Sequence, residues 1–193
     1  VAMTHYGLEY EHRPWSVWKD ADAIAAYNPL RRVPVLVLPG GEALLESFAI
    51  LDAIDEMVPP ARALLSRSGP ERRAGLRVCA LAAGLAEKAV SLLYERVLRV
   101  EERRSAVWVE RCTAQMHAAI DRLESEKAAR AGEHWLGGFS HADIAVACAL
   151  RFVGEAHPTI LAARPRPALA AHAARCEAMA VFHGVAQPLN VAV

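Results

Sequence analysis

Residues 28–51 read NPLRRVPVLVLPGGEALLESFAIL, and this stretch decides the fold of the N-terminal part of the chain. Val33–Leu38 is a short run rich in Val and Leu that predicts a buried strand. Gly40–Gly41 predicts a tight turn, because glycine takes positive φ without steric cost. Ala43–Leu45 returns as a second short run, so the sequence predicts a β-hairpin.

The end of the same stretch carries groups suited to binding a small charged peptide. Ser47 is predicted to cap a helix that runs to about Met57, and its hydroxyl and the free N–H groups of a helix start favour a carboxylate. Glu46 beside it can take an ammonium group. Together the two residues match the α-amino acid end of a peptide. The alternative is an ordinary N-cap next to a solvated acid.

Pro34 is unusual within a predicted strand, because proline lacks an N–H donor. Two alternatives remain open for its peptide bond. A trans Val33–Pro34 bond at the edge of the sheet is the commoner state of such bonds. A cis bond would turn the N–H and C=O of Val33 outward, so that an extended peptide could pair with Val33 as an added strand.

The order of these motifs resembles the glutathione S-transferase family. That family carries an N-P-x-x-x-V-P-x-L run followed by an E-S-x-A-I helix start. Both are present here, as NPLRRVPVL from Asn28 and ESFAI from Glu46. One departure is Arg31, where a glycine is common in the family.

The resemblance implies a set of glutathione-binding residues. Val33, with Pro34 beside it, would bind the cysteinyl backbone. Glu46 and Ser47 would bind the γ-glutamyl end. Arg32 stands at a position that often contacts the glycyl end, and its positive charge suits that carboxylate.

The resemblance also implies the fold class and the domains. It predicts an α/β thioredoxin-like N-terminal domain over residues 1–58, a linker over 59–70 and an all-α C-terminal domain over 71–193. The residues agree with a change of character at the linker, which contains proline, glycine and serine breakers. Helical periodicity dominates after it.

Two apolar stripes at helical spacing predict core faces of the C-terminal domain rather than a cofactor box. The first stripe is Leu76, Cys79, Ala83, Val90, Leu93 and Val97, and the second is Val109, Cys112, Met116, Ile120 and Leu123. Further along, Ser140 and Asp143 match a capping box before an apolar helix. This predicts a structural role for Asp143. Helices near 167–180 complete the predicted fold.

The start of the chain bears on catalysis. Val1–Tyr6 predicts a short helix ended by Gly7, and Leu8–Arg13 predicts a strand. By the resemblance, the first strand and the start of the first helix are missing, so about 15–20 residues would precede Val1.

In the family the catalytic Ser, Cys or Tyr lies at the first strand-to-helix junction, where it favours the glutathione thiolate. That junction is expected upstream of the first residue of this chain, so the catalytic residue is left unassigned. Tyr6, Tyr10 and Ser16 are the substitutes that this chain offers, although all three follow the junction. Lys19 is a candidate for pairing with the glycyl carboxylate, and the alternative is a solvated lysine.

Composition narrows the classes of function. The chain has 193 residues, of which 54% are apolar, with 22 basic and 22 acidic side chains. This balance predicts a globular protein that binds neither nucleic acid nor an anionic membrane. Four widely spaced cysteines and eight scattered histidines form no metal-ligand spacing, so no metal is expected. The cysteines are predicted to be buried and reduced in a cytoplasmic protein.

The resemblance implies an enzyme that uses glutathione as co-substrate and directs its thiolate at a small hydrophobic electrophile. Tyr94 and Trp108 are candidate walls of the electrophile pocket, although a core or interface role fits them equally. Conjugation, peroxide reduction, thiol exchange, dehalogenation and isomerisation all remain open. A homodimer is expected by resemblance. The alternative is a non-catalytic module of the same fold that binds glutathione or another protein.

Overall fold

In a computed structural model, which describes residues 1–187 and 189, the chain divides into two units between Ala63 and Leu64. This division lies inside the predicted 59–70 linker, and Leu64 and Leu65 are buried. The first unit mixes short helices with one hairpin. Its elements are α1 (Ala2–Tyr6), α2 (Ala21–Ala25), β1 (Val35–Val37), β2 (Ala43–Leu45), α3 (Ser47–Glu56) and a 3₁₀ turn (Pro60–Arg62).

The predicted hairpin is confirmed. β1 and β2 pair antiparallel, with Val35 opposite Leu45 and Val37 opposite Ala43. The first strand is shorter than predicted and is not buried, because this sheet has two strands and Val37 remains 42% exposed. The turn is closed by the Gly41 N–H, which donates to the Leu38 carbonyl at 2.8 Å, and Gly41 takes φ 85°. The glycine at this position meets the need for positive φ.

The region before α2 is partly as predicted. α1 ends at Gly7, whose φ of 70° is left-handed, as a C-terminal glycine requires. The strand predicted over Leu8–Arg13 is wrong. A strand needs a hydrogen-bonded neighbour, and this segment has no ladder partner among the residues described.

The core of the first unit joins α1 to α3. The Tyr6 hydroxyl donates to the Asp55 carboxylate at 2.6 Å, and both side chains are buried. Ile24, Ile50 and Ile54 are buried in the same unit. This packing anchors α3, the helix whose first residues carry the predicted binding groups.

The second unit is helical throughout the part of the chain that the structure describes. Its long helices are α4 (Gly69–Val97), α5 (Ala106–Ala128), α6 (His141–Ala156) and α8 (Pro167–Glu177), with shorter helices α7 (Pro158–Ala162) and α9 (Ala180–His183) and a 3₁₀ turn (Glu101–Arg103). α4 packs against both α5 and α6. The predicted all-α character of this region is confirmed.

The two predicted apolar stripes fare differently. Along α5, Cys112, Met116, Ile120 and Leu123 are completely buried, as predicted. Along α4 the predicted stripe is largely wrong, since only Cys79 and Leu93 of its members are buried. The buried face of α4 is made of Gly75, Val78, Cys79, Ala82, Leu85, Ala89, Leu92, Leu93 and Glu95. α4 has alanines on several faces, so the hydrophobic pattern alone was compatible with more than one buried face.

The predicted capping box is confirmed at the start of α6. The Asp143 carboxylate is fully buried and accepts hydrogen bonds from the Ser140 N–H at 3.0 Å and the Ser140 hydroxyl at 2.7 Å. Its second oxygen accepts from the Trp135 N–H at 3.1 Å. Asp143 therefore ties the preceding loop to α6, which is a structural role.

The cysteines are free, but the prediction that all four are buried is wrong for Cys148, which is exposed on α6. Burial raises the pKa of the Cys79 thiol to about 11 and that of the Cys176 thiol to about 12, so both are protonated at neutral pH. Within residues 1–187, no helix has the length and apolarity needed to cross a bilayer.

Candidate functional site

The β2–α3 junction differs by one residue from the prediction. Glu46 is the N-cap of α3, and Ser47 is the first helical residue rather than the cap. Glu46 takes φ 65° and ψ 134°, a backbone conformation that residues other than glycine rarely adopt. Its carbonyl accepts the first helical hydrogen bond, from the Ile50 N–H at 3.1 Å. The bend at Glu46 therefore starts the helix without using the Ser47 side chain.

This arrangement leaves polar groups at the tip of α3 for a ligand. No side chain caps the helix, and the half-buried Ser47 has no side-chain hydrogen bond to any other residue described. The first N–H groups of a helix have no partner within it, and they give its start a partial positive charge. A carboxylate placed here can accept from these N–H groups and from the Ser47 hydroxyl.

Arg32 lies next to this tip. Its guanidinium is 3.5 Å from the Glu46 carboxylate, and the two side chains are 61% and 58% exposed. An ion pair this exposed contributes about 1 kcal/mol or less to stability. The resemblance put Arg32 at the glycyl end of the ligand and Glu46 at the other, whereas the structure brings the two side chains together.

The loop that presents Arg32 is held by a residue that the sequence analysis did not assign to the site. Asn28 is only 1% exposed. Its amide nitrogen donates to the Arg32 carbonyl at 2.9 Å, and its amide oxygen accepts from the Leu30 N–H at 3.0 Å. The signal was available, because asparagine before proline commonly bonds the backbone two residues on.

Val33 and Pro34 follow directly. The Val33–Pro34 peptide bond is cis, which decides between the two alternatives of the sequence analysis. The Val33 side chain is half-exposed, and Pro34 is exposed as well. The predicted binding residues Arg32, Val33 and Pro34 thus form one exposed run that precedes β1.

Arg31, the departure from the family motif, takes φ 52°. This is the left-handed region, where glycine is the usual residue. The Arg31 side chain pairs with Asp22 of α2 at 3.1 Å. The structure thus explains why a glycine suits this position, where this chain places an arginine.

The three substitutes for a catalytic residue already have structural partners. Tyr6 binds Asp55 in the core, and the Tyr10 hydroxyl lies 2.7 Å from that of Thr4. The Ser16 hydroxyl accepts from two N–H groups of the turn that follows it.

The remaining candidates have less to place them. Lys19 is exposed, with no side-chain partner among residues 1–187. Trp108 of α5 is 37% exposed, with the Lys88 ammonium 5.9 Å from its ring centre. The role of Tyr94 and Trp108 as pocket walls stays a prediction. Over the described ranges, no group of His, Cys, Asp or Glu is placed to hold a metal ion.

Comparison with known proteins agrees with the motifs. The chain is 33% identical over 132 residues to a maleylacetoacetate isomerase from Pseudomonas aeruginosa. The alignment covers 64% of this chain and 61% of the isomerase. The chain therefore spans less than two thirds of that relative.

Solved structures match over nearly the whole chain. A glutathione S-transferase from Methylobacillus flagellatus, with GSH bound, gives a TM-score of 0.88 at 26% identity and covers 97% of this chain and 91% of its own. One from Methylobacterium radiotolerans, in complex with glutathione sulfonate, gives 0.87 at 27% identity, with 100% and 91% coverage.

Family models match both units. The model of the glutathione S-transferase N-terminal domain matches residues 1–57, and the model of the C-terminal domain matches residues 106–175. Together they cover more than half of the chain. The first unit is accordingly a thioredoxin-like domain and the second the helical domain that follows it. With both of its domains matched in order, the chain belongs to the glutathione S-transferase family.

Proposed function

We propose that this protein is a glutathione transferase-type enzyme that binds glutathione and directs its thiolate at a small hydrophobic electrophile. The observation that carries this proposal is the start of α3. There Glu46 bends the chain at φ 65°, and Ser47 and the first helical N–H groups have no side-chain cap. An uncapped helix tip beside an acid is what an α-amino acid group requires.

The charges of the β2–α3 junction favour binding of the γ-glutamyl end of glutathione there. The α-carboxylate would accept from the Ser47 hydroxyl and the N–H groups of the α3 tip. The α-ammonium would pair with Glu46. The cysteinyl backbone would lie along Val33, whose exposed position before β1 leaves room for an extended peptide. This orientation sends the glycyl carboxylate towards the other end of the site, where Arg32 or Lys19 would meet it.

The relatives support glutathione as the co-substrate, since both solved structures described above contain glutathione or its sulfonate. The five reactions named above all remain open, and the similarity to a maleylacetoacetate isomerase favours isomerisation among them. All five begin from the thiolate, which is the nucleophilic form of a thiol. We propose a homodimer in the cytoplasm as the working form, in keeping with the family.

A glutathione-binding module without turnover is the second candidate. It is favoured by the uncapped tip of α3, which accounts for binding of the peptide but not for activation of its thiol. Turnover decides between the two candidates. Measured conjugation of an aryl halide or isomerisation of a cis-enedione supports the enzyme, and binding without either reaction supports the module.

Calorimetric titration with glutathione tests the binding site itself. We expect Ser47→Ala to weaken binding about 10-fold, because a hydrogen bond to a charged group is lost. Ser125→Ala is the matched control, since Ser125 is an exposed serine on α5. The absence of heat at millimolar glutathione, or an equal loss in the two variants, would contradict the proposal.

A further inference from the structure

Both ends of the buried Asn28 side chain bond the backbone of the loop that follows it. The amide oxygen accepts from the Leu30 N–H at 3.0 Å, and the amide nitrogen donates to the Arg32 carbonyl at 2.9 Å. The Asn28 backbone adds two contacts, since its N–H donates to the Ile24 carbonyl at 2.8 Å and its carbonyl accepts from the Arg31 N–H at 2.9 Å. The loop is therefore joined to α2 through this one residue.

The bond from Asn28 to the Arg32 carbonyl also determines where the next N–H group points. The Arg32 carbonyl and the Val33 N–H belong to one planar peptide unit, and this unit is trans. In a trans unit the C=O and N–H groups point in opposite directions. Because the carbonyl points at the buried Asn28 amide, the Val33 N–H points away from it.

The Val33 N–H is available to a ligand. It donates to no other group among the residues that the structure describes. The Val33 side chain is 50% exposed, and the β1–β2 ladder begins two residues later, at Val35. An N–H group presented just before a strand is what an extended peptide needs in order to pair with the chain.

We propose that Asn28 is a positioning residue, which acts through the Arg32 carbonyl to aim the Val33 N–H at the cysteinyl carbonyl of glutathione. This inference rests on the proposed function, because it concerns the same binding site. Asparagine suits the role because its side chain supplies both an acceptor for the Leu30 N–H and a donor for the Arg32 carbonyl. An ionised aspartate would keep the acceptor, lose the donor and repel the carbonyl oxygen.

The experiment is a calorimetric titration of the full chain with glutathione between pH 7.5 and 4.5, for wild type, Asn28→Asp and Asn28→Leu. At pH 7.5 we expect both variants to bind about 10-fold more weakly than wild type. Burial favours the protonated form of the new carboxyl, whose O–H can donate to the Arg32 carbonyl. Asn28→Asp should therefore recover to within about three-fold of wild type as the pH falls, whereas Asn28→Leu should not recover.

The controls separate this effect from other responses to pH. Each affinity is divided by that of wild type at the same pH, so the ion pairs Arg31–Asp22 and Arg32–Glu46, which are common to all the proteins, cancel. Gln115→Glu makes the same change from amide to acid on α5 and should bind glutathione as wild type does at each pH. A constant deficit in Asn28→Asp, or equal recovery in Asn28→Leu, overturns the positioning role.

Amide hydrogen exchange of the wild type tests the same role without a substitution, in case the variants do not fold. The Val33 amide should exchange rapidly in the free protein and at least about 10-fold more slowly with saturating glutathione. The Leu30 amide, which already donates to Asn28, should be protected in both states.

The outcomes distinguish this role from the proposed function. If glutathione binds wild type and Ser47→Ala weakens that binding, but the Val33 amide does not slow, only the positioning role fails. If glutathione does not bind wild type at all, the positioning role and the proposed function both fail.

Discussion

Residues 28–51 and helices α4–α6 differ in backbone conformation and in the burial of their side chains. Within the described chain, both non-glycine residues with positive φ, Arg31 and Glu46, fall in the first stretch. Their own side chains are exposed, and so are those of Arg32 and Val33. In α4–α6 the backbone is regular and the side chains at the contacts are buried, with Met116 and Val146 completely inaccessible.

The difference indicates where stability and binding are located. Unusual backbone conformations cost about 1–3 kcal/mol each, and they persist where the surrounding structure imposes them. A buried polar group that loses its hydrogen-bond partner lowers the free energy of unfolding by the cost of its desolvation. Substitutions in the helical unit should therefore change the free energy of unfolding, and substitutions at the β2–α3 junction should change ligand binding. Three predictions test this division.

The largest effect is expected at Asp143. Asp143→Ala removes a fully buried carboxylate and leaves the N–H groups of Ser140 and Trp135 without their acceptor. We expect the free energy of unfolding of the helical unit to fall by about 3–5 kcal/mol. Urea denaturation followed by the loss of helical circular dichroism measures it.

The control for this prediction is Glu110→Ala, which removes an exposed acid from α5. It should change stability by less than about 0.5 kcal/mol. If Asp143→Ala also costs less than about 1 kcal/mol, the capping box is not a main source of stability. The buried contacts of the helical unit would then contribute no more to stability than the exposed β2–α3 junction does.

The sequence predicted the hairpin and α3 but misplaced the helix cap by one residue. Serine favours the N-cap through its own side chain. Here the bend at Glu46 comes from a left-handed backbone that no local preference of glutamate predicts. The partnership of Arg32 with Glu46 was also missed, since it depends on how the loop before β1 folds back towards α3.

The helical unit shows the same limit for packing. The stripe on α5 was correct because its apolar residues recur on one face among polar neighbours. α4 carries alanines on several faces, so its true contact face was set by what α5 and α6 present to it. Leu8–Arg13 was predicted as a strand from its own pattern, but strand formation depends on a partner that local sequence does not specify.

The second prediction uses pH to separate the two regions. Burial lowers the pKa of His157 below its ordinary value of 6.5, and the nearby Arg96 lowers it further. The His157 ring is buried, with Nε2 2.9 Å from the Ala89 carbonyl and Nδ1 3.1 Å from the Arg96 guanidinium. The folded protein therefore favours the neutral ring, which donates from Nε2 and accepts at Nδ1.

This preference for the neutral ring sets the direction in which stability changes with pH. Below pH 6.5 the unfolded chain binds the proton that folded His157 resists, so stability is full above that pH and is lost as the pH falls towards the lowered pKa. The slope from this residue is at most about 1.4 kcal/mol per pH unit. The urea midpoint, measured at pH 5, 6 and 7, should change less steeply with pH in His157→Gln than in the wild type. An unchanged slope, or the same flattening in the exposed His12→Gln, would assign the effect elsewhere.

The smallest effect on stability is expected at the junction, together with a clear effect on binding. Glu46→Gly relieves the φ of 65°, so the first unit should gain about 1 kcal/mol after the entropy cost of glycine. Glutathione should nevertheless bind about 10-fold more weakly, since the partner of its ammonium is lost. Arg31→Gly relieves a similar φ of 52° away from Glu46 and should leave binding unchanged. Amide hydrogen exchange in α3 and calorimetry together test this, and a loss of stability in Glu46→Gly would show that the bend is not strained.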